Sequence, residues 1–224
     1  MVLLHGWGFN SELFNSLIAQ YQQQYRITKI DLPGHGRSDE VAGGIDEWCD
    51  EIIKILHEKS IKNPILLGWS LGGLLAIKIA SQIPIERLIL VATTPKFVRI
   101  KDWQYGIEAD NFRQFSTALS LNLSKGLKRF VSLQTDNKTQ LKLLAQSIDA
   151  LPTTTIALNQ GLEILLTTDL VQLFKQLTIP MQVILGNRDT LVPIKIADWY
   201  KQQGVSVTIL DTGHLSFLHQ DFLL

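Results

Sequence analysis

Apolar positions in the first 92 residues form short runs of strand length, separated by longer segments with helical spacing. The strand-like runs are 2–4, 26–31, 64–69 and 87–92. The segments that place apolar side chains on one helical face are 11–24, capped by Ser11 or Asn10, and 44–60 and 71–83. Strands that alternate with helices predict βαβ units and a parallel sheet with helices on both faces.

The pattern changes between residues 95 and 175, which contain no convincing strand. Helical periodicity dominates this stretch, at 112–121, 127–133, 141–148 and 170–177. The strand and helix alternation then returns, with strands at 181–186 and 205–210 around a helix at 194–203. We therefore predict an α/β core formed by 1–94 and 176–224, interrupted by a helical insertion at 95–175.

Composition and charge exclude some classes of protein. Lys plus Arg and Asp plus Glu both number 21, so the basic excess of a nucleic-acid-binding protein is missing. No apolar run approaches the roughly 20 residues of a membrane helix, and the N-terminus lacks the basic segment of a signal peptide. A single cysteine, Cys49, cannot form a disulfide within the chain. We expect a cytoplasmic protein that binds neither nucleic acid nor membrane, and a monomer.

The stretch LLGWSLGG places Ser70 between Gly68 and Gly72, after an aliphatic strand and before an apolar helix. An ordinary helix-capping serine is one interpretation. The other is a nucleophile elbow, in which a strained turn between strand and helix exposes the serine. A Cβ at either glycine would crowd the neighbouring strand and helix, and the helix N-terminus favours negative charge beside Ser70. No lysine follows the glycines, which excludes a phosphate-binding P-loop.

A serine nucleophile needs a base, and the elbow predicts an acid and then a histidine further along the chain. Asp189 and His214 each follow a predicted strand, so both are expected at the C-terminal edge of the sheet. His214 would take the Ser70 proton and Asp189 would hold the imidazole in the correct tautomer. Asp211 is the rival acid, although its side chain would have to turn back along the His214 loop. The remaining histidines are interpreted as structural or solvated: His5, His35, His57 and His219.

An oxyanion hole is the third element of such a site. One donor is expected to be the backbone N–H of Leu71, the residue after the nucleophile. The segment HGWG at 5–8 follows the first strand, and its glycines would let the backbone approach the site while Trp7 supplies a second N–H. A plain glycine turn is the alternative. No His, Cys and Asp cluster has metal-ligand spacing, so neither a metal nor an organic cofactor is expected.

The segments LLHGWG, DLPGHGRS, GWSLGG, GNRDTLVP and GH, in this order, resemble the signature segments of the α/β-hydrolase family. The resemblance implies a three-layer α/β fold with a mostly parallel sheet, and it identifies residues 95–175 as the helical cap that this family inserts after its sixth strand. The chain begins at the strand before HGWG and ends about ten residues after His214. We therefore expect the usual N-terminal hairpin to be missing and the last helix to be shortened, which would expose sheet edge.

Four segments resemble, more narrowly, the esterases that remove the methyl group of pimeloyl-[acyl-carrier protein] in biotin synthesis. They are HGWG, GWSLGG, ATTPKF with the following Asp102 and Trp103, and RFVSLQ at 129–134. This resemblance implies the triad Ser70, Asp189 and His214 and an acyl-enzyme intermediate. It also implies substrate contacts from the oxyanion positions and one cap segment, namely Trp7, Leu71, Phe130, Val131, Ser132, Leu133 and Gln134. The partner that it implies is an acyl carrier protein.

Basic residues outnumber acidic ones across 96–142, which suits the steering of a strongly acidic carrier protein. Lys125 and Arg129 are the predicted docking residues, and a solvated helix surface is the ordinary alternative. Apolar residues of the same segment would line a slot for an alkyl chain. These are Phe112, Phe115, Leu119, Phe130 and Leu133.

Two other functions stay open at the level of sequence. With the same triad, the chain would hydrolyse another small ester, a lactone or a carbon–carbon bond. On the same fold it would otherwise be a non-catalytic binding protein, although the intact order of serine, acid and histidine argues against this. Cleavage of short p-nitrophenyl esters, with the carrier-bound methyl ester left untouched, would favour the first alternative.

Overall fold

Six parallel strands form a single sheet in the computed structural model, in the order β2-β1-β3-β4-β5-β6. Along the chain they are β1 (Val2–Leu4), β2 (Thr28–Ile30), β3 (Ile65–Trp69), β4 (Arg87–Val91), β5 (Met181–Gly186) and β6 (Ser206–Leu210). Each described strand pair is parallel. β1 and β3, which each have a neighbouring strand on both sides, are buried over their whole length. The predicted α/β architecture is confirmed.

The structure describes residues 1–121, 123–135, 137–150 and 153–224. Within these ranges it leaves out the side chains of 115, 116, 118–121, 123–125, 128 and 147–150. The side chain of the predicted docking residue Lys125 therefore lies outside the described residues. The same holds for Phe115 and Leu119, two of the residues predicted to line an alkyl slot.

Helices connect the strands and flank the sheet. Those that follow β1, β2, β3 and β5 are α1 (Asn15–Tyr21), α2 (Ile45–Glu58), α3 (Leu71–Ala80) and α9 (Ile196–Gln202). Between β4 and β5 lie α4 (Ala109–Leu121), α5 (Leu123–Gln134), α6 (Lys138–Ala150), α7 (Thr155–Thr167) and α8 (Val171–Gln176). This run of helices falls in the predicted cap range, and the division into core and cap remains a prediction. In the described part of the chain, no helix is long and apolar enough to cross a bilayer.

Three elements differ from the expectation, each for a physical reason. The segment 11–24 begins as a 3₁₀ turn, Ser11–Phe14, because the Asn10 side chain caps the Glu12 N–H at 3.0 Å and tightens the first turn. β2 spans three residues because it lies at the sheet edge and pairs with a three-residue β1. α7 is missing from the predicted elements because its apolar residues are not confined to one stripe of the helix.

Two buried histidines fix the loops that follow β1 and β2. His5 Nδ1–H donates to the carbonyl of the next residue at 2.8 Å, and its Nε2 accepts the Leu32 N–H at 2.9 Å. His35 Nδ1–H donates to the Pro33 carbonyl at 2.9 Å, and its Nε2 accepts the Gly8 N–H at 3.3 Å. Each ring thus acts as a neutral imidazole with one donor and one acceptor. Both histidines are structural, as expected.

Burial lowers the pKa of His5 to about 4 and the pKa of His35 to about 3, because a charged imidazole is poorly solvated there. In the unfolded chain both groups return to a pKa near 6.5. Below that pH the unfolded chain therefore binds more protons than the folded protein. Their contribution to stability is complete above the unfolded pKa and is lost progressively as the pH falls from that value through the two folded values.

Acidification from about pH 7 to about pH 4.5 is expected to lower the free energy of unfolding, by up to about 1.4 kcal/mol per pH unit for each buried histidine. His35→Gln keeps a donor and an acceptor but does not titrate, so its unfolding free energy should fall less steeply. Urea unfolding at a series of pH values measures these slopes. His57→Gln, at an exposed position, should keep the wild-type slope. Equal slopes in all three proteins would contradict the assignment.

Candidate active site

Ser70 occupies the turn between β3 and α3 with φ 56° and ψ −119°, a conformation that residues other than glycine rarely adopt. Two glycines make the turn possible. A Cβ at Gly68 would lie 2.3 Å from the Gly72 carbonyl oxygen, and a Cβ at Gly72 would lie 2.3 Å from the Leu4 carbonyl oxygen. The crowding predicted for Gly68 and Gly72 is therefore confirmed, and it is crowding against backbone.

Hydrogen bonds from three directions hold the main chain of Ser70. Its N–H donates to the Val91 carbonyl at 3.0 Å, and its carbonyl accepts the Gly73 N–H at 2.8 Å. The Thr93 hydroxyl, beyond the end of β4, donates to the same carbonyl at 2.8 Å. The strained turn is thus fixed by the neighbouring strand as well as by its own helix.

Asp189 and His214 meet because their loops follow neighbouring strands, β5 and β6. A Cβ at Gly186 would lie 2.2 Å from the Gly213 carbonyl oxygen, so a glycine at the end of β5 lets the two loops approach closely. His214 Nδ1 lies 2.8 Å from Asp189 Oδ2, and both side chains are 1% exposed. The histidine and the acid predicted from the sequence therefore form a buried pair.

The other carboxylate oxygen of Asp189 is also engaged. Oδ1 accepts the N–H groups of Leu191 at 2.8 Å and Val192 at 3.0 Å. A carboxylate held at both oxygens keeps one orientation, so it fixes the imidazole of His214 with the proton on Nδ1.

Nε2 of His214 is buried and has no hydrogen-bond partner among the described residues. With the proton on Nδ1, this nitrogen keeps the lone pair that a general base needs. Trp69, which directly precedes Ser70, packs against the His214 ring at a tilt of 52°, with centroids 5.5 Å apart. His214 therefore lies beside the strand that carries the serine, with its basic nitrogen unused.

The rival residues lie elsewhere. The Asp211 side chain is 75% exposed and pairs with Arg188 Nε at 3.2 Å, so Asp189 and not Asp211 contacts His214. His57 is exposed on α2, and His219 lies 3.8 Å from the exposed Asp221 carboxylate.

The HGWG loop after β1 reaches Ser70. A Cβ at Gly6 would lie 3.2 Å from the Ser70 Cβ and 3.0 Å from the Trp69 ring, so glycine permits this contact. Trp7 is the next residue of the loop and is 1% exposed. Leu71 is the first residue of α3, where helix N–H groups have no partner within the helix. The two predicted oxyanion residues, Trp7 and Leu71, therefore directly follow Gly6 and Ser70 in the chain, and Gly6 lies against Ser70.

The side chain of Trp7 packs against α5 and α7. Its Nε1–H donates to the Leu158 carbonyl at 2.8 Å, and its ring meets Phe130 edge-on with centroids 4.8 Å apart. A Cβ at Gly161 would lie 2.6 Å from the Trp7 ring, so this glycine lets α7 approach. Sequence reasoning missed Leu158 and Gly161 together with α7. A glycine inside an apolar segment was the one signal of close packing there.

A cavity of about 320 Å³ opens beside Trp7. α4, α5, α7 and the loop after Asp189 supply its walls, which include Phe112, Arg129, Phe130, Leu133, Leu162 and Leu191. Mostly apolar walls with a few polar groups are typical of sites for small organic ligands. Leu162 and Leu191 were not predicted, because no motif marks them and only the fold brings them to the cavity.

The predicted substrate segment of α5 is divided between two environments. Phe130 and Leu133 lie on the cavity wall with Arg129, because residues at these spacings share one helix face. Val131 is buried at 7% exposure. The segment therefore places one face on the cavity and uses the rest for packing.

The last residues of α5 lie against the loop of His214. Gln134 is fully buried, and its main-chain carbonyl accepts the His214 N–H at 2.9 Å. Ser132 and Gln134 line a smaller cavity of about 190 Å³ beside Gly213. The end of this helix is thus in direct contact with the loop that carries the predicted base.

Several basic residues between 96 and 142 form ion pairs with acidic side chains. Lys96 pairs with Asp169 at 2.7 Å, Arg99 with Glu108 at 2.9 Å and Arg113 with Asp110 at 2.8 Å. Arg129 lies on the cavity wall and is exposed, and no described side chain neutralises it. Of these three pairs, only that of Lys96 uses an acid outside 96–142 and so reduces the basic excess of the segment. Arg129 is a basic residue of this segment that lies next to the cavity.

Curated relatives align with this chain over almost its whole length. The pimeloyl-[acyl-carrier protein] methyl ester esterase of Pseudoalteromonas atlantica is 36% identical over 239 residues, covering 100% of this chain and 91% of that protein. The protein of the same name from Nitrosomonas europaea is 34% identical over 228 residues, covering 97% and 89%. The one from Photorhabdus laumondii is 37% identical over 233 residues, covering 99% and 87%.

Solved structures and a family model agree with the fold. An esterase from Exiguobacterium antarcticum superposes with a TM-score of 0.89 at 22% identity, covering 97% of this chain and 85% of that one. The enol-lactonase from Burkholderia xenovorans has a TM-score of 0.84 at 19% identity, covering 97% and 84%. The model of the alpha/beta hydrolase family matches residues 1–224. With this match and the full-length relatives, the chain belongs to the alpha/beta hydrolase family.

Proposed function

We propose that this protein is a serine carboxylesterase that hydrolyses the methyl ester of pimeloyl-[acyl-carrier protein] in biotin synthesis. The observation that supports the chemistry is the geometry of the buried His214. Its Nδ1 lies 2.8 Å from Asp189 Oδ2, and its Nε2 has no hydrogen-bond partner among the described residues. The substrate is supported by the relatives of that name, which are 34% to 37% identical over nearly the full chain.

Acylation begins with Ser70. Nε2 of His214 takes the hydroxyl proton as the serine oxygen attacks the ester carbonyl carbon, and Asp189 stabilises the imidazolium that forms. The backbone N–H groups of Leu71 and Trp7 donate to the negatively charged oxygen, a contribution of about 3 kcal/mol per donor. The imidazolium then protonates the departing methoxide, so methanol leaves and the acyl group stays on Ser70.

Deacylation repeats these steps with water. His214 removes a proton from the water molecule that attacks the acyl carbonyl, and then returns this proton to the Ser70 oxygen as the acyl bond breaks. The product is a free carboxylate at the end of the pimeloyl chain, which remains attached to its carrier.

The cavity suits an extended acyl chain with an anionic carrier at its far end. Apolar walls from Phe112, Phe130, Leu133 and Leu162 favour methylene groups. The guanidinium of Arg129 would face the acidic surface of the carrier protein. Helices between β4 and β5 would then act as the cap that selects the substrate.

Ser70→Ala is expected to abolish both labelling by a fluorophosphonate probe and hydrolysis of pimeloyl-[acyl-carrier protein] methyl ester, because the nucleophile is removed. Gel fluorescence measures the label, and mass spectrometry of the carrier measures conversion to the free carboxylate. Ser81→Ala, at an exposed serine after α3, should keep both activities. A wild-type protein that is not labelled would contradict the enzymatic proposal. Hydrolysis of p-nitrophenyl butyrate alone would contradict the proposed substrate.

Arg129→Glu is expected to raise KM for the carrier-bound ester by about tenfold at low salt, because charge reversal at the cavity repels the acidic carrier. The uncharged p-nitrophenyl butyrate should be much less affected. Lys142→Glu makes the same charge change at an exposed position of α6 and serves as the matched control. Steady-state kinetics at two salt concentrations measure the effect. Equal losses on both substrates would refute docking through Arg129.

A further inference from the structure

Hydrogen bonds to both of its backbone polar groups hold the main chain of His214. Its N–H donates to the Gln134 carbonyl at the end of α5, at 2.9 Å. Its carbonyl accepts the indole Nε1–H of Trp69, also at 2.9 Å. The first bond comes from the predicted cap, and the second comes from the residue immediately before Ser70.

The indole of Trp69 has little freedom to move. It is 1% exposed and packs against three rings, with centroid distances of 5.5 Å to Phe9, 5.5 Å to His214 and 5.1 Å to Phe217. The loop after β1 closes another side, since a Cβ at Gly6 would lie 3.0 Å from the indole. The direction of the Nε1–H bond is therefore fixed by packing.

The backbone of Trp69 is equally well fixed. It is the last residue of β3 and is paired with Val91 of β4. Ser70 follows in the strained turn, so the α-carbons of Trp69 and Ser70 are neighbours in the chain. One side chain thus joins the strand of the proposed nucleophile to the main chain of the proposed base.

We propose that Trp69 is a positioning residue, which sets the distance between His214 and Ser70 through its hydrogen bond to the His214 carbonyl. The inference rests on the proposed roles of His214 and Ser70 and does not depend on the identity of the acyl carrier. Loss of the indole N–H would leave a buried carbonyl without a donor, and the His214 loop would relax away from the serine.

Two esters of one acid separate a positioning role from a structural one. Methoxide must receive a proton from the His214 imidazolium as its C–O bond breaks, whereas p-nitrophenolate leaves as a stable anion without one. Both esters need His214 to deprotonate Ser70. A displaced histidine therefore slows a methyl ester more than a p-nitrophenyl ester, while partial unfolding lowers both rates by the same factor.

The test compares kcat/KM for methyl butyrate and p-nitrophenyl butyrate in Trp69→Phe and in Trp69→benzothienylalanine. The second replacement keeps the shape of the indole and exchanges its N–H for sulfur, so it removes the donor without opening a cavity. We expect kcat/KM to fall about tenfold for the methyl ester, equivalent to about 1.4 kcal/mol of barrier, and about twofold for the p-nitrophenyl ester.

Trp103 offers a matched control. It is 4% exposed, its Nε1–H donates to the Lys96 carbonyl at 2.8 Å, and its ring packs against Tyr105 and Trp199. The same two replacements at Trp103 should leave the ratio of the two kcat/KM values at the wild-type level. Thermal unfolding of each variant establishes the folded fraction.

If the folded Trp69→benzothienylalanine protein keeps the wild-type ratio of kcat/KM for the two esters, the positioning role is overturned. The same conclusion follows if the replacement at Trp103 changes this ratio as much as the replacement at Trp69. A wild-type protein that hydrolyses both butyrates but not the carrier-bound methyl ester would overturn the proposed substrate alone, and the ratio would still decide the role of Trp69. A wild-type protein that hydrolyses neither the butyrates nor the carrier-bound methyl ester would overturn both proposals.

Discussion

The close approach of backbone to backbone around Ser70 is the constraint on which the site depends. The first turn of α3 packs so tightly on β1 that a Cβ at Gly72 would lie 2.3 Å from the Leu4 carbonyl oxygen. Because β1 and β3 are neighbours in the sheet, this packing also brings the HGWG loop against the serine. The left-handed conformation of Ser70, with φ 56°, is held in place by this contact and by the Thr93 hydroxyl.

The helices between β4 and β5 take part in the geometry of the site. α7 accepts the indole N–H of Trp7 through Leu158, and α5 accepts the backbone N–H of His214 through Gln134. α5 also carries Arg129 and Phe130 on the cavity wall. The helix that would meet the carrier and the acyl chain therefore ends on the loop of the proposed base. If the proposed function is correct, the contacts with substrate and the alignment of the proposed base would share this one helix.

The sequence predicted the alternation of strands and helices, the parallel sheet and the Asp189 and His214 pair, because glycine turns and strand periodicity are local signals. It did not predict α7, whose apolar residues lack the single stripe of an amphipathic helix. It also missed the role of Leu162 and Leu191 in the cavity, since residues far apart in the chain meet there only after folding. The ion pair of Lys96 could not be predicted from the sequence for the same reason. Lys96 and its partner Asp169 are 73 positions apart, so composition alone overstated the basic surface.

The central claim is that this chain carries out the demethylation step of biotin synthesis through Ser70. Growth of a biotin-requiring bacterial strain that lacks its own pimeloyl-[acyl-carrier protein] methyl ester esterase tests it most directly. Expression of the wild-type chain should restore growth without biotin, and expression of Ser70→Ala at the same level should not. Failure of a soluble wild-type protein to restore growth, or restoration of growth by Ser70→Ala, would contradict the account.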